Sequence, residues 1–325
     1  MILQRVVLPY ITIAALTIVV ARFAPPSFYL AGQIILLVAA LVVTAWPVVG
    51  VRVLATAGGR KAPGPWPAMG WALLVFLLIM AVRIPLYVAT RGIWDKAVIY
   101  TLVFAVAFRV YGRDREWLGL GGKYLDRYLL AGLVMAVFVW VVIEGLTGLY
   151  YFLGAHGVSA TWYGSWSPVI VPNLVIFGIG NLAEELFFRA FLLRSWRGFL
   201  GVLPATALAA LLFGLYHINY NLSPLDFGAM GSYVVFAATF GVGMGLIFQE
   251  FGHIVPSTVA HVLYNTTIAS GFYTFDFRAQ SIWLPATVGF TVYYGLELLI
   301  FIFVLPRVAR RLRLALDLPA VEGER

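Results

Sequence analysis

The chain has 325 residues, of which 62% are hydrophobic and 11% charged, and its mean hydropathy is +0.94. Soluble domains carry about 45–50% apolar and about 25% charged residues, so the composition excludes a soluble protein and predicts a polytopic membrane protein. The formal net charge is +8, but the basic residues lie in short segments between apolar runs. That placement indicates that the basic residues act as topology signals and contact anionic lipid head groups, and it argues against nucleic acid as a partner. The absence of cysteine excludes disulfides, a thiolate nucleophile and a cysteine metal site.

Ten apolar segments follow one another along the chain and predict its fold class. The first has the length of a signal-peptide core, but a second apolar run follows at once, which favours a retained helix. We therefore predict an all-α polytopic membrane helix bundle of about ten transmembrane helices (eight to ten) around an intramembrane polar cavity. The predicted spans are 6–21, 28–49, 69–90, 97–111, 128–150, 168–196, 203–217, 230–248, 254–272 and 283–305.

The spans divide the chain into three parts. Residues 1–127 hold the N-terminal helices and a charged interfacial segment, 128–306 form the membrane core that contains the polar motifs, and 307–325 form a basic cytoplasmic tail. With both termini cytoplasmic, most of the 22 Lys and Arg residues fall on the inner side, as the positive-inside rule expects. The basic residues that fall in outer segments are Arg22, Arg91, Lys96 and Arg278.

The sixth predicted span contains three charged residues, Glu184, Glu185 and Arg189. Each would cost roughly 2.5–3.5 kcal/mol at the centre of a membrane helix, so they require a role. Helical spacing places Asn181, Glu185 and Arg189 on one stripe, where Glu185 and Arg189 can form an ion pair. Glu184 points about 100° away and has no charged partner on its own helix. A buried carboxylate of this kind is suited to act as a general base, although a purely structural polar network is the alternative interpretation.

Two further motifs place histidines in apolar segments. The seventh span ends in Phe213-Gly-Leu-Tyr-His217, and the ninth contains His261-Val-Leu-Tyr-Asn265. The i, i+4 spacing of His261 and Asn265 puts both side chains on one helix face. With Glu184, these residues supply a base for water and hydrogen-bond donors for a developing oxyanion, which are the needs of peptide hydrolysis.

The three motifs, in this order, resemble the signature EExxxR, FxxxH, HxxxN of the CPBP group of membrane proteins. That group includes type II CAAX prenyl endopeptidases and bacteriocin-processing or abortive-infection-type proteins, and the resemblance covers roughly residues 168–272. It implies a glutamate-dependent intramembrane endopeptidase in a prokaryotic plasma membrane, acting on a membrane-anchored or lipidated substrate. By its pattern Glu184 and His217 activate the water, His261 and Asn265 line the oxyanion site, and Glu185 with Arg189 holds the motif helix.

The need for a metal is left open by these residues. Glu184, His217 and His261 could hold zinc with a fourth position open for water. Glu185 would then have to be the base, although it is the carboxylate matched to Arg189, and the chain has no His-Glu-x-x-His motif. We therefore expect metal-free chemistry and no cofactor.

Other features of the spans lead to further expectations. Two other classes of protein would suit the same residues: a proton-coupled transporter that uses Glu184 and the histidines as a relay, and a non-catalytic membrane scaffold or immunity protein. Glu144 and Glu297 are expected to pair with Arg83 or Arg109. His217 lies at the outer end of its span, so we expect the seventh helix to tilt or to stop within the membrane, with the loop at 218–227 entering a water-filled cavity.

Overall fold

The computed structural model describes residues 2–23, 25, 28–51, 64–111, 113, 115–154, 158–162, 169–218, 226–270, 273–277 and 286–321. Within these ranges the chain is predominantly helical. The helices are α1 (Ile2–Phe23), α2 (Tyr29–Val51), α3 (Pro65–Thr90), α4 (Lys96–Phe104), α5 (Leu125–Gly154), α6 (Ile170–Glu185), α7 (Arg194–Leu200), α8 (Val202–Tyr216), α9 (Phe227–Phe251), α10 (Ile254–Ala269), α11 (Ala286–Leu299) and α12 (Leu305–Ala315).

Apolar composition explains why these elements are helices. A helix satisfies its backbone hydrogen bonds internally, which a membrane requires. Among the described residues, six stretches are long and apolar enough to cross a bilayer: Val6–Phe23, Trp66–Thr90, Leu125–Leu149, Ile170–Leu200, Met230–Phe251 and Val292–Ala315. Shorter apolar helices occupy Tyr29–Val43, Lys96–Phe108 and Val202–Tyr216. The predicted all-α polytopic membrane bundle is therefore confirmed, and the protein is an integral membrane protein.

Three helices continue into wider π-helical turns. These segments are Ala105–Val110, Leu186–Leu193 and Ile300–Val304, which follow α4, α6 and α11 respectively. The second joins α6 to α7, so that one helical run extends over the stretch predicted as the sixth span. A π-helical turn is frequently found at a functional site.

One small sheet interrupts the helical pattern. Strand β1 (Val158–Trp162) pairs with β2 (Tyr273–Phe277) in antiparallel register, with Ala160 opposite Phe275. The sequence predicted only a loop at β1. Five residues in extended conformation find their hydrogen-bond partners in a distant segment, which local sequence does not reveal.

The chain divides into two compact units, and the first comprises residues 1–118 and 183–234. In it α1, α2 and α4 pack against one another, α3 packs against α7, and α8 packs against the segment Leu186–Leu193. Aromatic rings fill the space between these last two elements: the ring centroids of Phe188 and Phe213 lie 5.1 Å apart in edge-to-face contact, and both side chains are buried.

The second unit comprises residues 119–182 and 235–325. Its main helix pair is α5 and α10. They approach closely at Gly132, where an added Cβ would lie 2.6 Å from the Cβ of Val259. Small residues at such positions are a common device for packing membrane helices, because dispersion contacts replace the hydrophobic effect.

The predicted C-terminal tail begins as helix α12. Arg127 Nη1 donates to the carbonyl oxygens of Leu316 and Asp317, at 3.0 Å each. Arg310 Nη2 lies 3.3 Å from Glu250 Oε1. The first part of this segment is therefore held by contacts within the second unit, and its cytoplasmic placement stays a prediction.

Replacing Gly132 with alanine should destabilise the protein. The new methyl group would overlap Val259, and overpacking of this kind typically costs about 1–3 kcal/mol. Thermal unfolding in detergent, followed by tryptophan fluorescence, measures the effect. Gly145→Ala is the matched control, because it lies on the same helix with nothing within 4 Å of the added atom and gains helix propensity. Equal unfolding temperatures for the two variants would contradict the described packing of α5 on α10.

Candidate active site

The predicted Glu185–Arg189 ion pair is present. Glu185 ends α6 and Arg189 lies in the π-helical segment that follows, with 3.2 Å between Arg189 Nη1 and Glu185 Oε1. Both side chains are almost completely buried, so the charges compensate each other out of contact with water. The Arg189 guanidinium also lies 4.3 Å from the centre of the Phe213 ring, a cation–π contact. Their function as a support for the motif helix stays a prediction.

Glu184 has a charged partner on another helix, which the sequence did not predict. The Lys96 ammonium group contacts Glu184 Oε1 as a buried salt bridge. Lys96 was assigned to an outer segment, but it forms the first residue of α4 and is buried. Helical periodicity indicated only that Glu184 has no charged partner on its own helix, because it does not report neighbours on other helices.

Tyr216 connects this ion pair to a second one. Its hydroxyl accepts a hydrogen bond from Lys96 Nζ at 3.0 Å and donates one to Asp95 Oδ2 at 2.6 Å. Arg83 Nη1 lies 3.0 and 2.9 Å from the two oxygens of Asp95, and 2.6 Å from the Tyr216 hydroxyl. The Arg83 Nε donates to the backbone carbonyl of Tyr216 at 3.0 Å. The position of the Tyr216 ring is thus set from several sides.

Arg83 therefore has a partner other than the predicted ones. Asp95 follows it by twelve positions, at the turn before α4, and is fully buried. Burial alone would raise the pKa of the Asp95 carboxyl, but the charges of Arg83 and Lys96 and the Tyr216 hydroxyl lower it below its ordinary value. Asp95 therefore carries its charge at neutral pH. An arginine inside a predicted span was a signal for such a partner, but the sequence did not show which acid supplies it.

His217 is the residue at which α8 ends. Its backbone N–H donates to the Gly214 carbonyl at 2.9 Å, and its Nδ1 lies 2.7 Å from the carbonyl oxygen of Phe213. A carbonyl oxygen can only accept, so Nδ1 carries the proton. In the neutral ring the lone pair is then on Nε2, which is the form required of a general base. The rings of Phe213, Tyr216 and Tyr233 surround the imidazole at centroid distances of 4.6, 5.1 and 5.8 Å.

His261 and Asn265 lie on α10 in the second unit. His253 caps the start of this helix, since its Nδ1 accepts from the Val255 N–H at 3.2 Å while Nε2 bonds the Gly121 carbonyl at 2.8 Å. His261 is buried, and its ring lies 5.0 Å from that of Phe240.

Asn265 is hydrogen-bonded to a residue that was predicted to belong to a different group. Its Nδ2 donates to Asn181 Oδ1 at 3.3 Å. The sequence placed Asn181 with Glu185 and Arg189 on one stripe, whereas its observed side-chain partner is Asn265. Asn181 Nδ2 is buried and has no hydrogen-bond partner among the described residues. An amide donor therefore lies directly beside Asn265.

Glu144 and Glu297 were predicted to pair with arginines. Glu144 Oε1 instead lies 3.5 Å from the hydroxyl of Tyr264. Both carboxylate oxygens of Glu297 are buried and have no hydrogen-bond partner in the part of the chain that the structure describes. Arg83 binds Asp95, the side chain of Arg109 lies outside the described residues, and a pairing of these acids with Arg109 stays a prediction.

The structure brings together one part of the predicted site in each unit. Glu184, Glu185, Arg189 and His217 belong to the first unit, and His261 and Asn265 belong to the second. A catalytic centre shared by all of them stays a prediction. Helix α8 has 15 residues, about 22 Å at ~1.5 Å per residue, less than a hydrocarbon core of about 30 Å. That length suits a helix that ends within the membrane. Of the loop predicted to enter the cavity, residues 219–225 lie outside the described ranges.

The proposed zinc ligands fit a metal poorly. The described residues contain no group of three acidic, His or Cys side chains arranged to hold a metal ion. More directly, the carboxylate of Glu184 already binds the ammonium of Lys96, and a fixed cation on that carboxylate opposes a divalent cation beside it. No step through a metal is therefore derived.

Removing Lys96 should destabilise the protein more than removing both members of its ion pair. Lys96→Met leaves a buried uncompensated carboxylate, which typically costs about 3–5 kcal/mol. The double variant Lys96→Met/Glu184→Gln has no charge on residue 184, so it should be more stable than Lys96→Met alone. Unfolding temperatures of the single and double variants in detergent measure this coupling. Lys123→Met, at an exposed lysine, is the control, and strictly additive losses would contradict the ion pair.

Comparison with known proteins agrees with the resemblance of the motifs. Residues 165–267 match the family model described as type II CAAX prenyl endopeptidase Rce1-like. No curated protein and no solved structure matches the chain. The matched segment contains the three motifs and the residues Glu184, His217, His261 and Asn265. The resemblance predicted from the three motifs is therefore confirmed over residues 165–267, the segment that is similar to the Rce1-like family.

Proposed function

We propose that this protein is a glutamate-dependent intramembrane endopeptidase that cleaves a prenylated, CAAX-type peptide substrate held at the bilayer. The observation that carries the proposal is the first unit of the structure, where the carboxylate of Glu184 and the imidazole of His217 are buried near a fixed ammonium group. The matching family supports the same reaction class.

In the proposed reaction a water molecule attacks the scissile carbonyl carbon. Glu184 accepts a proton from this water, and His217 orients it through the lone pair on Nε2. The proton is then delivered to the leaving amine. A buried carboxylate can serve here because the protein interior supplies fixed charges in place of mobile solvent.

The oxyanion that forms on the carbonyl requires hydrogen-bond donors. We assign this function to His261 and Asn265 on α10, with Asn181 as the residue that orients the Asn265 amide. Glu185 and Arg189 support the motif helix, since they form a buried pair at the junction of α6 and the π-helical segment. No metal takes part in this scheme, because Lys96 already supplies a cation to Glu184.

The substrate approaches from the membrane. Six apolar helices among the described residues place the protein in a bilayer, so a lipidated or membrane-anchored peptide reaches it by lateral diffusion, and we do not propose nucleic acid as a partner. We further propose a prokaryotic plasma membrane and cytoplasmic termini, an orientation supported by the distribution of basic residues between the spans.

Substitution of Glu184 or His217 should abolish peptide cleavage. General acid–base catalysis typically contributes 10²–10⁴-fold, so Glu184→Gln and His217→Phe should each lower kcat at least about a hundredfold. The assay uses purified protein in detergent and a farnesylated CAAX peptide with a fluorophore and a quencher. The matched control is Glu250→Gln, the same chemical change at a carboxylate that pairs with exposed Arg310.

The outcomes separate the competing classes of function. Wild-type cleavage that persists in Glu184→Gln would contradict the proposed mechanism. If the wild-type protein cleaves nothing but moves protons or solute across vesicles in a Glu184-dependent way, it is a transporter; if it does neither, it is a scaffold. Loss of cleavage after dialysis against a chelator, restored by zinc, would contradict the metal-free assignment.

Asn181 should affect catalysis through Asn265. Asn181→Leu removes the carbonyl oxygen that accepts from Asn265 Nδ2, so the oxyanion donor loses its orientation. Loss of one oxyanion donor typically costs 10²–10³ in kcat, and misorientation should cost about tenfold or more. Steady-state kinetics should show a fall in kcat with KM little changed. Asn173→Leu, a hydrogen-bonded asparagine of the same helix that contacts Ser270, is the matched control. A doubled KM with unchanged kcat would contradict this function of Asn181.

A further inference from the structure

The strongest feature outside the three motifs is the environment of Lys96. This lysine is the first residue of α4, its side chain is 9% exposed, and its ammonium group contacts Glu184 directly. Burial of an ammonium group is costly unless it is paired and hydrogen-bonded. Lys96 satisfies both conditions, since it also donates to the Tyr216 hydroxyl at 3.0 Å.

The buried charges of the first unit balance in pairs. Arg83 lies 2.9 Å from Asp95, Arg189 lies 3.2 Å from Glu185, and Lys96 contacts Glu184. Two of these pairs join residues close in sequence. The third joins residues 88 positions apart, so it ties α4 to the motif helix at the carboxylate to which the proposed reaction gives the proton.

The position of the ammonium group is fixed by the surrounding hydrogen bonds. The Tyr216 hydroxyl that accepts from Lys96 is itself held by Asp95 at 2.6 Å and Arg83 at 2.6 Å. Arg83 additionally holds the Tyr216 backbone carbonyl, and the next residue along the chain is His217. One hydrogen-bonded network therefore sets the positions of both the carboxylate and the backbone that carries the imidazole.

We propose that Lys96 is a positioning residue of the active site. It binds Oε1 of Glu184 and so restrains the orientation of the carboxylate that accepts the water proton. Through Tyr216 it also fixes this carboxylate relative to His217. The inference rests on the proposed function, because it assigns Glu184 as the general base. A charge-neutral replacement would remove this restraint on the carboxylate, and a misplacement of about 1 Å can cost 10²-fold in rate.

The first test compares replacements of Lys96 by steady-state kinetics on the farnesylated peptide. Lys96→Met should lower kcat about 10–100-fold with KM within about twofold, because the geometry of the base changes and substrate binding does not. Lys96→Arg keeps the positive charge, although on a planar guanidinium group, and its kcat should lie between those of Lys96→Met and the wild type. Lys123→Met removes an exposed lysine and should match the wild type.

The absence of cysteine permits a second, chemical test. In Lys96→Cys the new thiol is unique, so alkylation with 2-bromoethylamine rebuilds a lysine-like ammonium at this position alone. Alkylation with 2-bromoethanol adds a neutral group of the same length. Activity is divided by the modified fraction from mass spectrometry. The amine should restore kcat at least about tenfold over the alcohol, which a space-filling role would not produce.

The result that overturns the inference differs from the one that overturns the function. If Glu184→Gln loses activity while Lys96→Met keeps the wild-type kcat, the inference alone is overturned. If cleavage persists in Glu184→Gln, the proposed function is overturned. A raised KM with unchanged kcat, or equal rescue by both reagents, would also overturn the inference. If Lys96→Met does not fold, Tyr216→Phe is the variant that tests the inference, because it keeps the ring but removes the hydroxyl that accepts the hydrogen bond from Lys96. Wild-type kcat in folded Tyr216→Phe would overturn it too.

Discussion

The structure depends on the compensation of the buried charges of its first unit, three of which, among the described residues, are cations paired with carboxylates. A membrane protein gains little from the hydrophobic effect when it brings helices together, so specific polar contacts carry more of the selectivity of packing. The contact of Lys96 with Glu184 does this for α4 and the motif helix. Stability and catalytic geometry then have a common origin, since the same ion pair that permits burial also orients the carboxylate.

Tyr216 illustrates how few side chains are needed to organise such a site. Its hydroxyl exchanges hydrogen bonds with Asp95, Arg83 and Lys96, and its ring lies beneath the Arg83 guanidinium at 3.6 Å. Networks of this kind gain strength in a low dielectric, and the loss of one member leaves others unsatisfied. The histidine that follows it is therefore carried on a backbone with little freedom, which suits a residue that must present the same ring nitrogen to the water.

The sequence predicted most of the helices because they lie in long apolar runs bounded by turn-forming or charged residues, and helix is the structure that a bilayer imposes on such a run. It did not predict the basic helix α12, which lies mostly in the expected tail. It predicted the Glu185–Arg189 pair because both residues lie on one helix. It missed Lys96 because a charge at the start of an apolar segment has the same appearance in the sequence as a loop residue. Partners on different helices follow from packing, which periodicity does not encode. The small sheet was missed for the same reason.

The π-helical segment at Leu186–Leu193 has a consequence for how sequences of this type can vary. A π turn accommodates one residue more than an α turn. A chain shorter by one residue in this segment could close an ordinary α-helical turn there, and the residues beyond it would keep nearly the same facing directions. If all the residues of the segment were instead wound as α-helix, every residue beyond it would rotate about 100° around the axis, and Arg194, which donates to the Trp117 carbonyl, would face a different neighbour. A one-residue gap in an alignment of related sequences therefore belongs inside this segment, because a gap placed elsewhere would assign residues to the wrong helix face.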